Sequence, residues 1–395
     1  MSSTLPITEP AAPPARAPSL HAFLELAFRP LYLFGTAWAL IAVAIWVWAP
    51  QILVGPLQGI AWHAHEMLWG FIATIAVAFL MTAGANWTGI NPLHGGALAI
   101  ACVLWLVARI GFLSPGEETF RVAVVAELAF FLLAAVAMMR SVYRANNARN
   151  YAVPWLLIAL AAADALYLLE AHGGGDYALL MQRFDVGLLA MALIALLIAR
   201  RVIPFFAMRA VAGLQIPMQT RSGQVQLATC AIAAACLLAG QKLPAAIALG
   251  VTGAIALVQV LRWRPWAVRG KPLLWILYAG HAGLGIGLLT AACTAAGASL
   301  PRALPVHMIA MAGFSVLIIG MVTRTALGHL GRPLATDHTM VCSYALVLAA
   351  VVLRLVALAP TPFSQAALHL SATAWIVALA LYLWRFAPML IRPRL

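Results

Sequence analysis

The feature that most constrains this chain is a near-continuous series of apolar segments, each about as long as a bilayer is thick. About 20 apolar residues cross the hydrocarbon core of a membrane. Stretches of that kind lie near 31–49, 62–84, 95–113, 119–141, 151–171, 178–201, 225–241, 243–262, 272–297, 303–325, 339–358 and 365–388, joined by short turns. Of the 395 residues, 64% are hydrophobic and 9% charged, against roughly 25% charged in a soluble domain. A water-soluble fold has too little interior to hide that surface, so the solvent has to be lipid. The sequence therefore reads as an all-α, polytopic integral membrane protein of about twelve transmembrane helices. The count is softest around Lys242-Leu243-Pro244, where one span is short and a re-entrant hairpin would reduce the total to ten.

Charge sets the orientation. Lys and Arg number 24 against 11 Asp and Glu, a formal charge of +13. The basic residues sit in turns between apolar runs and form no stripe, so membrane lipid is the expected surroundings and nucleic acid is not a partner. With the N-terminus inside, 18 of them fall on the cytoplasmic side, Arg109, Arg121, Lys242 and Arg302 fall on the other, and Arg183 and Arg354 fall within spans. Positive residues stay with the cytoplasmic face, which puts both termini there. Residues 1–26, Pro- and Ala-rich at their start and with no apolar core behind a basic beginning, read as a flexible cytoplasmic tail and not a cleaved leader. Residues 27–395 read as one transmembrane helical domain. The five cysteines, Cys102, Cys230, Cys236, Cys293 and Cys342, form no CxxC or CxxCH, which argues against disulfides, zinc sites and covalently attached haem.

Ionisable groups inside the spans carry the functional signal. Each costs roughly 2.5–3.5 kcal/mol on insertion scales. Of ten histidines, His21, His94, His172 and His338 fall in the tail or in turns, whereas His63, His65, His281, His307, His329 and His369 fall within spans or at their ends. His63, His65 and Glu66 open the second span at the outer face, with His307 and His369 at a similar level. His281 lies near mid-membrane, and His329 and Arg324 lie at the inner end of the tenth span. Residues two apart on a helix point about 200° away from each other, so His63 and His65 do not share one metal ion on a regular helix. Haem iron takes axial imidazoles from separate helices, a condition met by His65, His281 and His307. Copper asks for two or three imidazoles and few carboxylates, and His63 with His307 or His369 meets that condition at the outer side. Met308 and Met311 share a face beside His307. Arg324 reads either as a partner for a haem propionate or as a positive-inside anchor. Asp164, Glu127, Arg183, Asp185 and Arg354 are further buried charges, open to ion pairing, a proton path or a transporter's substrate route. Trp46, Trp48, Trp62 and Trp384 fit an interfacial belt. Gly70-Phe71 and Gly313-Phe314 recur at similar depths of the second and tenth spans, too short a match to define a repeat.

Several segments, in order, resemble the NnrS family: Phe28-Arg-Pro30, Trp62-His-Ala-His-Glu-Met67, Asn86-Trp-Thr-Gly89, Arg201-Val-Ile-Pro-Phe-Phe206, Thr323-Arg-Thr-Ala-Leu-Gly-His-Leu-Gly-Arg-Pro333 and Trp384-Arg-Phe-Ala-Pro388. The resemblance implies a twelve-helix, haem- and copper-containing protein of the bacterial inner membrane, linked to nitric oxide metabolism, nitrosative stress and denitrification. By position it makes His63, His65, Glu66, His281, His307 and His329 the leading candidates, and sets His369 behind them. The fifth span departs from the pattern, reading Asp164-Ala-Leu-Tyr167-Leu168 where relatives often carry an Asn…Phe-His run. The expectation is a haem b protein that binds nitric oxide or a related small molecule and either turns it over or only holds it. His281 and His307 (or His65) would serve iron, His63 copper and Glu66 proton relay, with the electron donor unspecified. The rivals are a secondary transporter using Asp164 and Glu127, and a non-catalytic haem or metal sensor or assembly factor.

Overall fold

The computed structural model describes residues 17–394. The first sixteen residues of the expected tail lie outside that range. Behind them Leu20–Phe23 forms a single helical turn capped by the Ser19 hydroxyl, and the Ser19 N–H donates to the Ile391 carbonyl at 2.9 Å. The two ends of the described chain thus meet on one side of the bundle.

Twelve long helices follow among the described residues, with no strand: α1 (Phe28–Trp48), α2 (Gly59–Thr88), α3 (Gly95–Leu113), α4 (Glu117–Arg144), α5 (Ala152–His172), α6 (Tyr177–Ala210), α7 (Thr220–Leu238), α8 (Lys242–Arg262), α9 (Pro272–Ala295), α10 (Ala303–His329), α11 (His338–Val356) and α12 (Ser364–Leu390). Eleven are long and apolar enough to cross a membrane. The exception is α7, whose first turns read Thr220-Arg-Ser-Gly-Gln-Val-Gln226. The α7–α8 pair is two separate helices turning at Gly240, where φ is +72°. At 34 residues, α6 is about 51 Å long. It exceeds the roughly 30 Å of hydrocarbon, and Arg200, Arg201 and Arg209 lie in its last turns on the side of both chain ends. There Arg201 donates to Asn150 Oδ1 at 2.8 Å.

Neighbours in sequence pack as neighbours in space around α2. The most apolar stretch of α2 is 83% buried against 33% for α11, so α2 is the central helix, touching α1, α4, α6 and α10. At the N-terminal end of α11, Asp337 caps the helix by accepting from Met340 N–H at 3.0 Å. Its partial burial is outweighed by the Arg385 guanidinium, which holds the carboxyl below its ordinary value.

The Gly-Phe pairs noted in the sequence mark a shared distortion. Glu66–Ala73 in α2 and Met308–Ser315 in α10 are π-helical, and the two segments pack on each other. A wide turn leaves a backbone carbonyl short of its partner, and the same device satisfies both. Thr74 Oγ1 donates to the Trp69 carbonyl at 3.0 Å, and Ser315 Oγ to the Ala310 carbonyl at 2.8 Å, each five residues back. Wide turns of this kind are frequent at functional sites, and here each follows a histidine directly, His65 in one case and His307 in the other.

The α9–α10 seam depends on Gly283. A methyl group there would lie 2.1 Å from the Ala312 carbonyl oxygen, a backbone atom that cannot swing away. Gly283→Ala is expected to destabilise the protein by about 1–3 kcal/mol or more. Gly96→Ala, where a methyl meets nothing within 4 Å, should be neutral or slightly stabilising. Reversible unfolding in mixed micelles measures both, and equal effects would rule out the tight seam.

Candidate metal centre and buried charge cluster

Two groups of polar side chains occupy the half of the bundle away from both chain ends, here the outer half, the opposite end being the inner one. His63 and His65 belong one to each, as the 200° between them requires.

The first group lies between α2, α3, α4 and α5. His65, Glu66, Arg109, Glu127 and Asp164 are each no more than 1% exposed. Arg109 donates from Nη1 to Glu66 Oε2 and from Nη2 to Glu127 Oε2. Trp38 Nε1 donates to the same Glu66 oxygen. The His65 ring stands between carboxylates: Nδ1 is 3.0 Å from Glu66 Oε1, and Nε2 is 3.1 Å from Asp164 Oδ1 and 3.4 Å from Glu127 Oε2. Trp69 and Tyr167 stack on the ring at 5.4 and 6.1 Å, and Phe112 meets it edge-on. Tyr167 is itself held by donating to the Ala61 carbonyl at 2.9 Å. Charges stripped of water are tolerable only when paired and hydrogen-bonded, and the packing makes room for the pairing. A methyl on Gly70 would lie 2.4 Å from Arg109 Nη1 and 2.7 Å from Glu66 Oε2.

The second group lines a cavity of about 190 Å³ between α1, α2, α6, α10, α11 and α12. His63 and His307 face it, with Met67, Met311, Arg302 and Arg354, and its lining holds no Asp or Glu. Trp46 lies flat on the His63 ring at 4.9 Å and 12°. His63 Nδ1 is buried without a protein partner. His307 Nδ1 donates to the Ala303 carbonyl at 2.7 Å, which leaves Nε2 as the nitrogen with the free lone pair. Beside this cavity is a wider crevice of about 480 Å³ lined by Gln182, Asp185 and Lys242. Arg302 borders both spaces and pairs with Asp185 at 3.0 Å.

The remaining candidates stand apart. His281 is fully buried between α8 and α9, with Nε2 3.1 Å from Gln259 Oε1 and Trp263 against its ring, and lines neither space. His329 packs on Phe28 at the inner end, and the Arg324 guanidinium sits 3.9 Å over the Phe206 ring. His369 bonds Gln365 on its own helix at 2.8 Å. Asp185 pairs across helices with Arg302.

Two expectations need correction. Arg109 is not an outer-loop charge but a buried member of the first group. The signal was its position four residues before the end of an apolar run, one turn inside the helix. Trp62 is fully buried against Trp38 and Trp46 lines the cavity, so neither belongs to an interfacial belt. Trp384, 80% exposed, does face outward.

Removing Arg109 leaves Glu66 and Glu127 without a counter-charge. Arg109→Met is expected to cost about 3–5 kcal/mol, with part of the loss regained on adding Glu66→Gln and Glu127→Gln. Arg121→Met, which breaks only exposed pairs with Glu117 and Glu118, should cost at most about 1 kcal/mol. Unfolding titrations of the variants decide between them, and parity of the two single changes would contradict the cluster.

The family model described as the NnrS protein matches residues 22–394. No curated protein matches the chain. A match over nearly the whole length, on an architecture of many membrane-length apolar helices, places this chain in the NnrS family.

Proposed function

We propose that this protein is a haem protein of a bacterial inner membrane, with copper as a second metal, that binds nitric oxide, and that its metal centre is the His63–His307 cavity. The observation that carries the reading is two imidazoles from helices far apart in sequence facing one space that no carboxylate lines. The membership in the NnrS family supports the same reading.

The donor set agrees with both groups. Imidazole with the Met67 and Met311 thioethers is a soft set that suits copper(I). A haem asks for an axial imidazole, and its propionates ask for cations; His307 with Arg302 and Arg354 are of those kinds. At about 190 Å³ the space is smaller than the roughly 300–1,000 Å³ of ordinary small-molecule pockets. It therefore accepts a metal ion with a diatomic ligand as it stands, whereas a tetrapyrrole needs more room than the side chains leave in this arrangement. When bound, the metal supplies a coordination position for nitric oxide. The protein supplies the rest: the Ala303 carbonyl fixes the His307 tautomer, Trp46 fixes the His63 ring plane, and the apolar walls favour a small neutral ligand over water. Glu66 does not line the cavity. Its carboxylate is occupied by Arg109, Trp38 and His65, so its part is to position the helix that carries His63.

The test is the visible spectrum and metal content of protein purified in detergent, with and without nitric oxide. A Soret band that shifts with nitric oxide is expected, together with bound copper. His63→Ala and His307→Ala should weaken metal binding by more than about tenfold, while His329→Ala and His369→Ala leave it unchanged. A protein free of iron and copper, or variants at His63 and His307 that keep the full spectrum, would exclude the proposal. Asp164→Asn separates the transporter reading, since it should spare the spectrum here and abolish transport there.

A further inference from the structure

We propose that His65, Glu127 and Asp164 form a second metal site, for a divalent first-row ion of the zinc, manganese or ferrous class, separate from the His63–His307 cavity.

The argument begins with the histidine. A neutral imidazole carries one N–H, and whichever nitrogen holds it, the other aims a lone pair outward. Both nitrogens of His65 face carboxylate oxygens, Glu66 on one side and Asp164 with Glu127 on the other. A lone pair aimed at a carboxylate in a dry interior is repulsive. Protonating both nitrogens removes the conflict; a metal cation removes it too, and the metal alone also serves the second oxygens of the two carboxylates. Such a cation sits between Nε2 and the two carboxylates while Nδ1–H donates to Glu66. That is the carboxylate–histidine–metal arrangement by which proteins orient a ligating ring.

Geometry agrees. The ligand atoms of His65, Glu127 and Asp164 all lie within 4.8 Å of one another, and Nε2 is 3.1 and 3.4 Å from the two oxygens. Metal–nitrogen and metal–oxygen bonds of about 2.0–2.2 Å at tetrahedral angles give ligand-to-ligand edges of roughly 3.3–3.5 Å. The two Nε2 separations lie close to that edge, so one ion can reach all three groups.

Independent evidence for a missing ligand comes from the second oxygens. Glu127 Oε1 and Asp164 Oδ2 are buried and have no hydrogen-bond partner, on side chains 1% and 0% exposed. Buried carboxylate oxygens without a donor are costly, and a metal ion bound by either carboxylate through both oxygens would satisfy them. Charge points the same way. Three carboxylates against Arg109 leave two negative charges if His65 is neutral, and a divalent ion cancels them. The donor set of one imidazole and two carboxylates, with no sulfur, favours zinc, manganese or ferrous iron over copper(I).

The site does not rest on the nitric oxide reading, and one experiment on the full chain in detergent separates them. After chelator treatment, the wild-type protein is titrated with Zn²⁺ and, separately, Mn²⁺. One equivalent is expected to survive His63→Ala, and to weaken by about 100-fold or more in Asp164→Asn and Glu127→Gln, given that even outer-shell changes cost 10–100-fold. X-ray absorption of the Zn²⁺-loaded His63→Ala protein, which lacks the cavity site, should show a nitrogen and oxygen shell with one imidazole. The proposal falls if the wild type takes up no ion beyond the one His63→Ala removes, if Asp164→Asn and Glu127→Gln bind as the wild type does, or if the shell contains sulfur or several imidazoles.

Discussion

A guanidinium shared by two carboxylates, in a medium that cannot hydrate any of the three, is the constraint around which the outer half of this bundle is arranged. Arg109 joins α3 to Glu66 on α2 and Glu127 on α4, and His65 extends the link to Asp164 on α5. None of these groups could stand alone at that depth, so four helices are held in one relative register. Other choices follow from this contact. Position 70 tolerates only a hydrogen, Trp38 turns its indole N–H inward, and aromatic rings wall the group off from lipid.

Much of the fold was legible in the sequence, because a bilayer imposes a length on every span and a charge bias on every turn. The helices fall where the apolar runs fall, and the Lys242 region, the softest part of that reading, resolves into two helices because Gly240 supplies the positive φ a tight reversal needs. The divergence of His63 and His65 was also legible, since it follows from helix geometry alone. Arg109 was not, because assigning charges to loops takes no account of an arginine one turn inside a helix end. Nor was the convergence of His65, Glu127 and Asp164, which come from three helices and meet only through tertiary packing. The two Gly-Phe pairs were visible, but the widened turns around them were not, since a π segment leaves no period of its own in so short a stretch.

The separation of the two polar groups by a single helix has a chemical meaning. On one face of α2 the surroundings are carboxylate-rich, closed and densely hydrogen-bonded. On the other they are imidazole, thioether and guanidinium around open space. Hard and soft environments for cations thus stand back to back, and each is built partly from the same three-residue stretch of chain. Arg302, bordering both the cavity and the wider crevice beside it, holds the Asp185 carboxylate just outside the softer compartment.

The widened turns also bear on how this arrangement can vary. Relative to a plain α-helix, one π turn accommodates an additional residue, and each residue of a helix advances about 100° around its axis. Everything on the outer side of Glu66–Ala73, His63 and His65 included, therefore carries an angular offset set by that insertion. Loss of one residue there would keep the span long enough for the membrane and leave the inner turns undisturbed, yet swing both imidazoles about a quarter-turn off their present targets. Single-residue length changes at this point act as an angular dial on the chemistry, which aligns the histidines of α2 and α10 by the same local irregularity.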